Sequence, residues 1–146
     1  MPLVIKHGSI FDSTAAVLVC PVNCVGIMGK GLALEFRKRE PHFADWYMTI
    51  CFQDAIRPGE TLWCPQFNRI LAATKGHWKW PTEIDWIDNI LHEIEDTVYA
   101  YELPSIAIPQ LGCGCGGLDW ADVWPLYEKH LGGIDCDVEV WIHESH

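Results

Sequence analysis

"VNCVGIMGKGLALEF", residues 22–36, follows an apolar run, opens into a loop with three glycines, one lysine and no acidic residue, and closes in a segment that reads as helix. Strand, glycine-rich loop and helix in that order are the building unit of α/β proteins. The unit recurs: "SIAIPQ" at 105–110 leads into "LGCGCGGLDW" at 111–120. In open α/β sheets the ligand sits beyond the carboxyl ends of the strands, where backbone N–H groups of such loops cradle a phosphate. Neither loop is a Walker A motif, because Gly29-Lys30 is followed by Gly31 where Ser or Thr would hold magnesium. The spacing of Gly26, Gly29 and Gly31 also departs from the dinucleotide-binding fingerprint. One such loop reads as a tight turn, whereas two on adjacent sheet ends favour a diphosphate held between them.

Outward from these loops, strands and helices alternate. Strand-like runs lie at 3–6 (LVIK), 16–22 (AVLVCPV), 61–66 (TLWCPQ), 69–74 (RILAAT), 105–110 and 137–143 (DVEVWIH), several of them continuous enough to be buried on both faces. Helical patterns cover about 30–39, ending before Pro41, and then a face of Phe43, Trp46, Tyr47, Ile50 and Cys51. After Pro81, Thr82 and Asp85 have capping-box spacing, and Ile84, Ile87, Leu91, Ile94 and Val98 form an apolar stripe. Asp88, Glu93, Glu95 and Asp96 fall off that stripe and read as a solvated face. A last helix is expected from near Pro125 to Gly132-Gly133, Pro suiting a first helical position. The fold class is α/β: a mixed sheet with helices on both faces, without internal repeats.

At 146 residues the chain has the size of a single domain, 1–146, with 49% apolar and 21% charged residues and no linker-like stretch. It has no apolar run of about 18 residues and no signal-peptide pattern at its start, so a cytoplasmic protein with no membrane partner is expected. Seven cysteines, an odd number without an export signal, read as reduced thiols and mostly as small buried apolar residues. Cys20/Cys24 and Cys113/Cys115 lack CxxC spacing and "HESH" at 143–146 stands at the chain end, which argues against a zinc site. A formal charge of −10 repels a nucleic-acid backbone, so any nucleic-acid contact must be local. Most of the eight tryptophans are expected in the core, with a pair available to stack on a base.

The two loops, together with "HGSIF" at 7–11 and "TKGHW" at 74–78, resemble the macrodomain family, ADP-ribose-binding domains with a three-layer α/β/α fold around a mixed central sheet. More narrowly, the chain is similar to the branch containing the DarG antitoxin macrodomain and the terminal ADP-ribose glycohydrolase. The resemblance covers nearly the whole chain with its motifs in order, and it implies ADP-ribose as ligand with no cofactor and no metal. It implies that Ser9 and Ile10 meet the adenine and that Asn23 hydrogen-bonds the distal ribose. Gly26, Ile27, Met28, Gly29, Lys30 and Gly31 would wrap that ribose and the diphosphate. Gly112, Cys113, Gly114, Cys115, Gly116, Gly117 and Leu118 would close over the diphosphate from the other side. Neutral N–H donors let an acidic protein bind a dianion, and a Cβ would hold the backbone too far from the phosphates. Many relatives carry Asp or Asn where Ser9 stands, which implies either weaker adenine recognition or recognition through backbone donors here.

Lys75 matches the lysine this branch uses to remove ADP-ribose. Attack on the anomeric carbon through an oxocarbenium-like state needs a group that shuttles a proton or traps the opened sugar, and a partly buried lysine of depressed pKa does either. Without the resemblance, a lysine at a strand end reads as a solvated charge. Gly116 stands where the terminal glycohydrolase has an acidic partner for its lysine; Asp119, with Asp-x-x-Asp spacing to Asp122, suits a helix N-cap instead. Glycine in that place resembles the DarG type, which releases ADP-ribose from thymidine in DNA, although Gly76 replaces the basic residue expected after the lysine. His77, Trp78 and Trp80 stand nearby, either to stack on a base or to pack on the following helix. The toxin-binding region of DarG antitoxins has no counterpart in this sequence, which implies a free-acting reverser of ADP-ribosylation. Three functions stay open: an ADP-ribosyl hydrolase acting on ADP-ribosylated single-stranded DNA, an ADP-ribose 1''-phosphate phosphatase, and a non-catalytic ADP-ribose reader.

Overall fold

A computed structural model describes residues 3–143. Six strands, β1 (Val4–His7), β2 (Val17–Asn23), β3 (Thr61–Cys64), β4 (Arg69–Lys75), β5 (Ser105–Pro109) and β6 (Asp137–Ile142), form one sheet in the order β1-β6-β5-β2-β4-β3. All neighbours pair in parallel except the edge strand β3, which is antiparallel to β4, so the sheet is mixed as expected.

Helices α1 (Gly31–Arg39) and α2 (Pro41–Phe52) cover one face, and α3 (Ile84–Tyr101) and α4 (Trp120–Leu131) cover the other. The sequence of the central strands dictates this sandwich, because successive side chains of a strand point to opposite faces. Val17, Val19, Ile70, Ala72, Ile106 and Ile108 enter the core beneath α3 and α4. The residues between them, Leu18, Cys20, Val22, Leu71, Ala73 and Ala107, enter the core beneath α1 and α2. An apolar residue at every position is therefore what a parallel strand covered on both faces requires.

Several local expectations are corrected. Helix α3 begins at Ile84 behind Glu83, which makes no side-chain cap bond, so Thr82 and Asp85 do not form a capping box. Thr82 is instead buried, and its N–H donates to Gly116 O at 3.0 Å. The buried stripe of α3 uses Ile90 along with Ile87, Leu91, Ile94 and Val98, while Ile84 remains exposed. Helix α4 starts at Trp120 rather than near Pro125, because Asp119 caps it by accepting from Ala121 N at 3.1 Å. Pro125 lies inside α4, where Ala121 C=O loses its helical donor, but both residues are exposed and water reaches that carbonyl.

The eight tryptophans are a second correction: none is fully buried, six are half-buried, and Trp78 and Trp80 are exposed. All seven cysteines are free thiols as expected, yet only Cys20, Cys64 and Cys136 are buried. Of the terminal "HESH", residues 144–146 lie outside the described residues. The acidic side of α3 also does more than face solvent. Glu93 accepts from Thr61 N (2.7 Å) and Thr61 Oγ1 (2.8 Å), which ties α3 to edge strand β3. Asp88 receives His130 Nε2 at 2.6 Å, and that hydrogen bond holds its carboxyl below the usual range.

One buried hydroxyl joins this scaffold to the second glycine loop. Tyr127 on α4 donates its phenol proton to Pro109 O and accepts from Leu111 N at 2.8 Å, fixing the chain as it leaves β5. Replacement Tyr127→Phe leaves both backbone groups without a partner and is expected to lower stability by about 1–3 kcal/mol, read from chemical denaturation.

Candidate functional site

Both glycine loops leave the carboxyl ends of neighbouring strands, β2 and β5, and the end of β4 lies on the other side of β2. The register between β2 and β4 shifts at Val22/Asn23: Val22 pairs with Ala73, but Asn23 pairs with Lys75. Without that bulge Asn23 would face Thr74. A one-residue slip moves a side chain to the opposite face, so the bulge is what aligns Lys75 with Asn23. Cys24 N then donates to Gly76 O at 3.3 Å, closing the two strand ends together.

Asn23 organises the first loop. It is buried, its Oδ1 accepts from Val25 N (3.1 Å), Ile27 N (3.3 Å) and Tyr47 Oη (2.8 Å), and its Nδ2 donates to Ile27 O (2.8 Å). One Nδ2–H is left for a ligand. Buried Met28 anchors the loop in the core, while Ile27, Gly29 and Lys30 are exposed. Gly31 opens α1, and Lys30 gives that helix no side-chain cap. The first-turn amides of α1 therefore remain free for an anion.

The second loop is held from below. Leu118 N donates to Gly112 O at 2.9 Å, and half-buried Leu118 packs on the core under the loop. Gly112 has φ +78°, and a Cβ there would stand 2.9 Å from Leu118 Cδ1 and 3.1 Å from Thr82 Cγ2. At Gly116 a Cβ would collide with Thr82 Oγ1 and stand 2.5 Å from Gly112 O. The loop thus excludes any side chain at 116, an acidic one included. Gly114, Cys115 and Gly117 are exposed, Cys113 is half-buried, and the amides of Gly114, Cys115 and Gly116 find no acceptor among the described residues.

Half-buried Lys75 ends β4 and donates from Nζ to Trp78 O at 3.2 Å. The turn after it stacks aromatic rings: His77 lies 5.4 Å from Trp78 and 5.2 Å from Trp80, centroid to centroid. Lys79 Nζ stands 5.0 Å over the Trp78 ring. Trp80 is 61% exposed, so these rings form a surface ledge and do not pack under α3.

At the far side of β5, a pocket is lined by Ser9, Ile10, Leu32, Glu35, Pro109 and Trp141. Ser9 Oγ caps the short 3-10 turn Ile10–Asp12 by accepting from Phe11 N at 3.3 Å, and Ile10 is buried. Neither Cys24 nor Cys113 is set up as a nucleophile. Burial, with Cys51, Glu60 and Asp54 nearby, pushes the Cys24 thiol up to about 12, and burial with Asp119 pushes Cys113 up to about 11. A protonated thiol is not a nucleophile.

Tyr47, Thr82, Glu35 and Trp141 were not expected in the site. Trp141 was within reach of the strand-end rule, since it lies near the end of β6. Tyr47 and Thr82 carry no sequence signal, because one lies in an apolar stripe and the other beside a helix start.

A family model described as the Macro domain matches residues 19–127. The chain belongs to the Macro domain family. Its fold matches the macrodomain of Thermus aquaticus DarG with a TM-score of 0.86 and 30% identity over 98% of each chain. Thermosipho africanus DarTG, solved in complex with ADP-ribose, gives 0.85 and 29% identity over 95% of this chain and 41% of its own. A Thermus aquaticus protein named DNA ADP-ribosyl glycohydrolase is 32% identical over 94% of this chain and 40% of its own length. This macrodomain thus spans less than half the length of that curated relative. The three-layer α/β/α fold expected from the sequence is the one found.

Two outcomes are expected for the loops. Gly116→Ala should destabilise the macrodomain by about 1–3 kcal/mol through overpacking against Thr82 and Gly112, measured by thermal unfolding. The raised pKa values of Cys24 and Cys113 mean that these thiols hold protons more tightly folded than unfolded. Their contribution is intact below the ordinary thiol pKa of 9.0 and is lost as pH rises through about 11 and 12. In native protein at pH 8 both should alkylate far more slowly than in the unfolded chain, read by peptide mass spectrometry.

Proposed function

We propose that this macrodomain binds ADP-ribose across the ends of β2 and β5 and removes it from ADP-ribosylated thymidine in single-stranded DNA, with Lys75 at the reacting carbon. The observation that carries this reading is the bulge that sets Lys75 beside Asn23, at the end of the strand next to the first glycine loop. In this reading the adenine lies in the pocket by Ser9, Ile10 and Trp141, with Glu35 and backbone groups as its polar partners. The diphosphate takes the free amides of Gly114, Cys115 and Gly116 and those at the start of α1. The remaining Nδ2–H of Asn23 meets a hydroxyl of the distal ribose.

The bond from the anomeric carbon to the base then breaks with its electron pair on the base, which takes a proton, and water supplies the new hydroxyl. Lys75 is the one cation of the strand ends placed to trap the opened sugar or to move that proton. A net charge of −10 disfavours recognition through the DNA backbone, so the target is held by its base. Exposed Trp78 and Trp80 beside Lys75 offer the stacking surface. The names of the relatives support the same target, and a cytoplasmic setting fits it.

A non-catalytic ADP-ribose reader is the second reading, favoured by Gly116, whose packing leaves Lys75 without an acidic partner from that loop. The deciding experiment is a gel assay on an oligonucleotide carrying ADP-ribosylated thymidine, with calorimetric titration of ADP-ribose alongside. Lys75→Ala is expected to cut release at least about 100-fold while the ADP-ribose Kd changes little. Trp78→Ala and Trp80→Ala are expected to raise KM, since each stacking contact contributes about 1–3 kcal/mol. Tight ADP-ribose binding by the wild type without release would leave the reader. Phosphate release from ADP-ribose 1''-phosphate alone would assign the phosphatase.

A further inference from the structure

Between α3 and α4, two histidines and three carboxylates gather in an ordered pattern. His92 and Glu95 lie one turn apart on α3, and His130 lies near the end of α4 against them. Both imidazoles turn Nδ1 toward the same atom, Glu95 Oε1: His130 at 3.6 Å and His92 at 3.9 Å. Both turn Nε2 toward an aspartate: His130 to Asp88 Oδ1 at 2.6 Å and His92 to Asp96 Oδ2 at 3.6 Å. His130 is buried with a side chain 9% exposed, whereas His92 is open to solvent at 58%.

Two carboxylates about one imidazole suit an ion-pair network when the ring is protonated and a metal site when it is neutral. An ionised carboxylate only accepts hydrogen bonds, so Asp88 takes an Nε2–H from His130, and in the neutral ring the Nδ1 lone pair is then turned toward Glu95. A histidine that donates one ring N–H to a carboxylate and offers the other nitrogen inward is the usual arrangement around a bound metal. Here that arrangement occurs twice about one glutamate. Ligand bonds of about 2.0–2.2 Å imply donor separations of roughly 3.3–3.6 Å. The His130–Glu95 distance of 3.6 Å falls at that limit, and His92, at 3.9 Å and exposed, closes the rest by rotation of its side chain. The three donor atoms lie within 4.8 Å of one another. Charge points the same way. With neutral imidazoles, the cation that Asp88, Glu95 and Asp96 face among the described residues is Lys129, at 3.4 Å from Asp88.

We propose that His92, Glu95 and His130 bind a divalent transition-metal ion of the Zn2+ type, oriented by Asp88 and Asp96, and that this ion staples α3 to α4. Two nitrogens and one oxygen suit Zn2+, with water in the fourth position. Because the ion would bridge two helices, its energy of binding enters folding stability. The site uses no residue of the glycine-loop crevice, so it stands independently of the enzymatic reading.

The test is thermal unfolding of the full chain in chelator and with added Zn2+, together with a Co2+ titration followed by absorption. Zn2+ is expected to raise Tm saturably at one equivalent. Co2+ should give visible ligand-field bands without the near-ultraviolet thiolate band that binding by cysteines would produce. His92→Ala removes an exposed side chain and should fold with wild-type Tm in chelator, yet lose the Zn2+ response. Asp88→Asn should weaken Zn2+ about 10–100-fold. An unchanged Zn2+ response in His92→Ala, a thiolate band with Co2+, or no Tm shift in the wild type would each overturn the proposal and leave a simple ion-pair network.

Discussion

Three parallel strands covered on both faces set the terms for the rest of the molecule. Nearly every side chain of β2, β4 and β5 between their ends is committed to one of two cores, which leaves the carboxyl ends of these strands as the place for a ligand. Backbone groups there cannot continue the ladder and must find other partners or a ligand. The structure answers differently at each end. Asn23 folds the first loop around its own amide, the second loop bonds across itself from Gly112 to Leu118, and Lys75 reaches the carbonyl of Trp78.

The consequence is a crevice lined by unpaired backbone N–H donors. Among the described residues the second loop offers the amides of Gly114, Cys115 and Gly116 unpaired, and α1 offers an uncapped N-terminus. Such donors are fixed by the fold and suit an anion without a cationic side chain. The same packing excludes alternatives. Thr82 beneath Gly116 leaves no space for a carboxylate beside Lys75, and burial keeps the nearby thiols Cys24 and Cys113 protonated at neutral pH. Lys75 stands at that crevice beside exposed Trp78 and Trp80.

The α3/α4 layer meets two regions. Tyr127 on α4, with Thr82 just before α3, supports the second glycine loop. One turn beyond Tyr127, His130 meets Asp88 and Glu95. The two regions share no side chain.

What the sequence determined by itself is the sandwich and the place of the site. Mostly apolar, β-branched runs at 16–22, 69–74 and 105–110 read as strands buried on both faces, and glycine loops after two of them mark the crevice. Periodicity is a local property, and local rules read it. They misplaced the start of α4, where Pro125 suggested a beginning and the Asp119 cap decided otherwise, and they assigned to Thr82 a cap that it does not make. Only the tertiary structure decided the bulge that aligns Lys75 with Asn23, the contact that empties position 116 of side chains, and the meeting of His92, Glu95 and His130. Each depends on a distance between segments far apart in the chain, which composition and spacing do not encode.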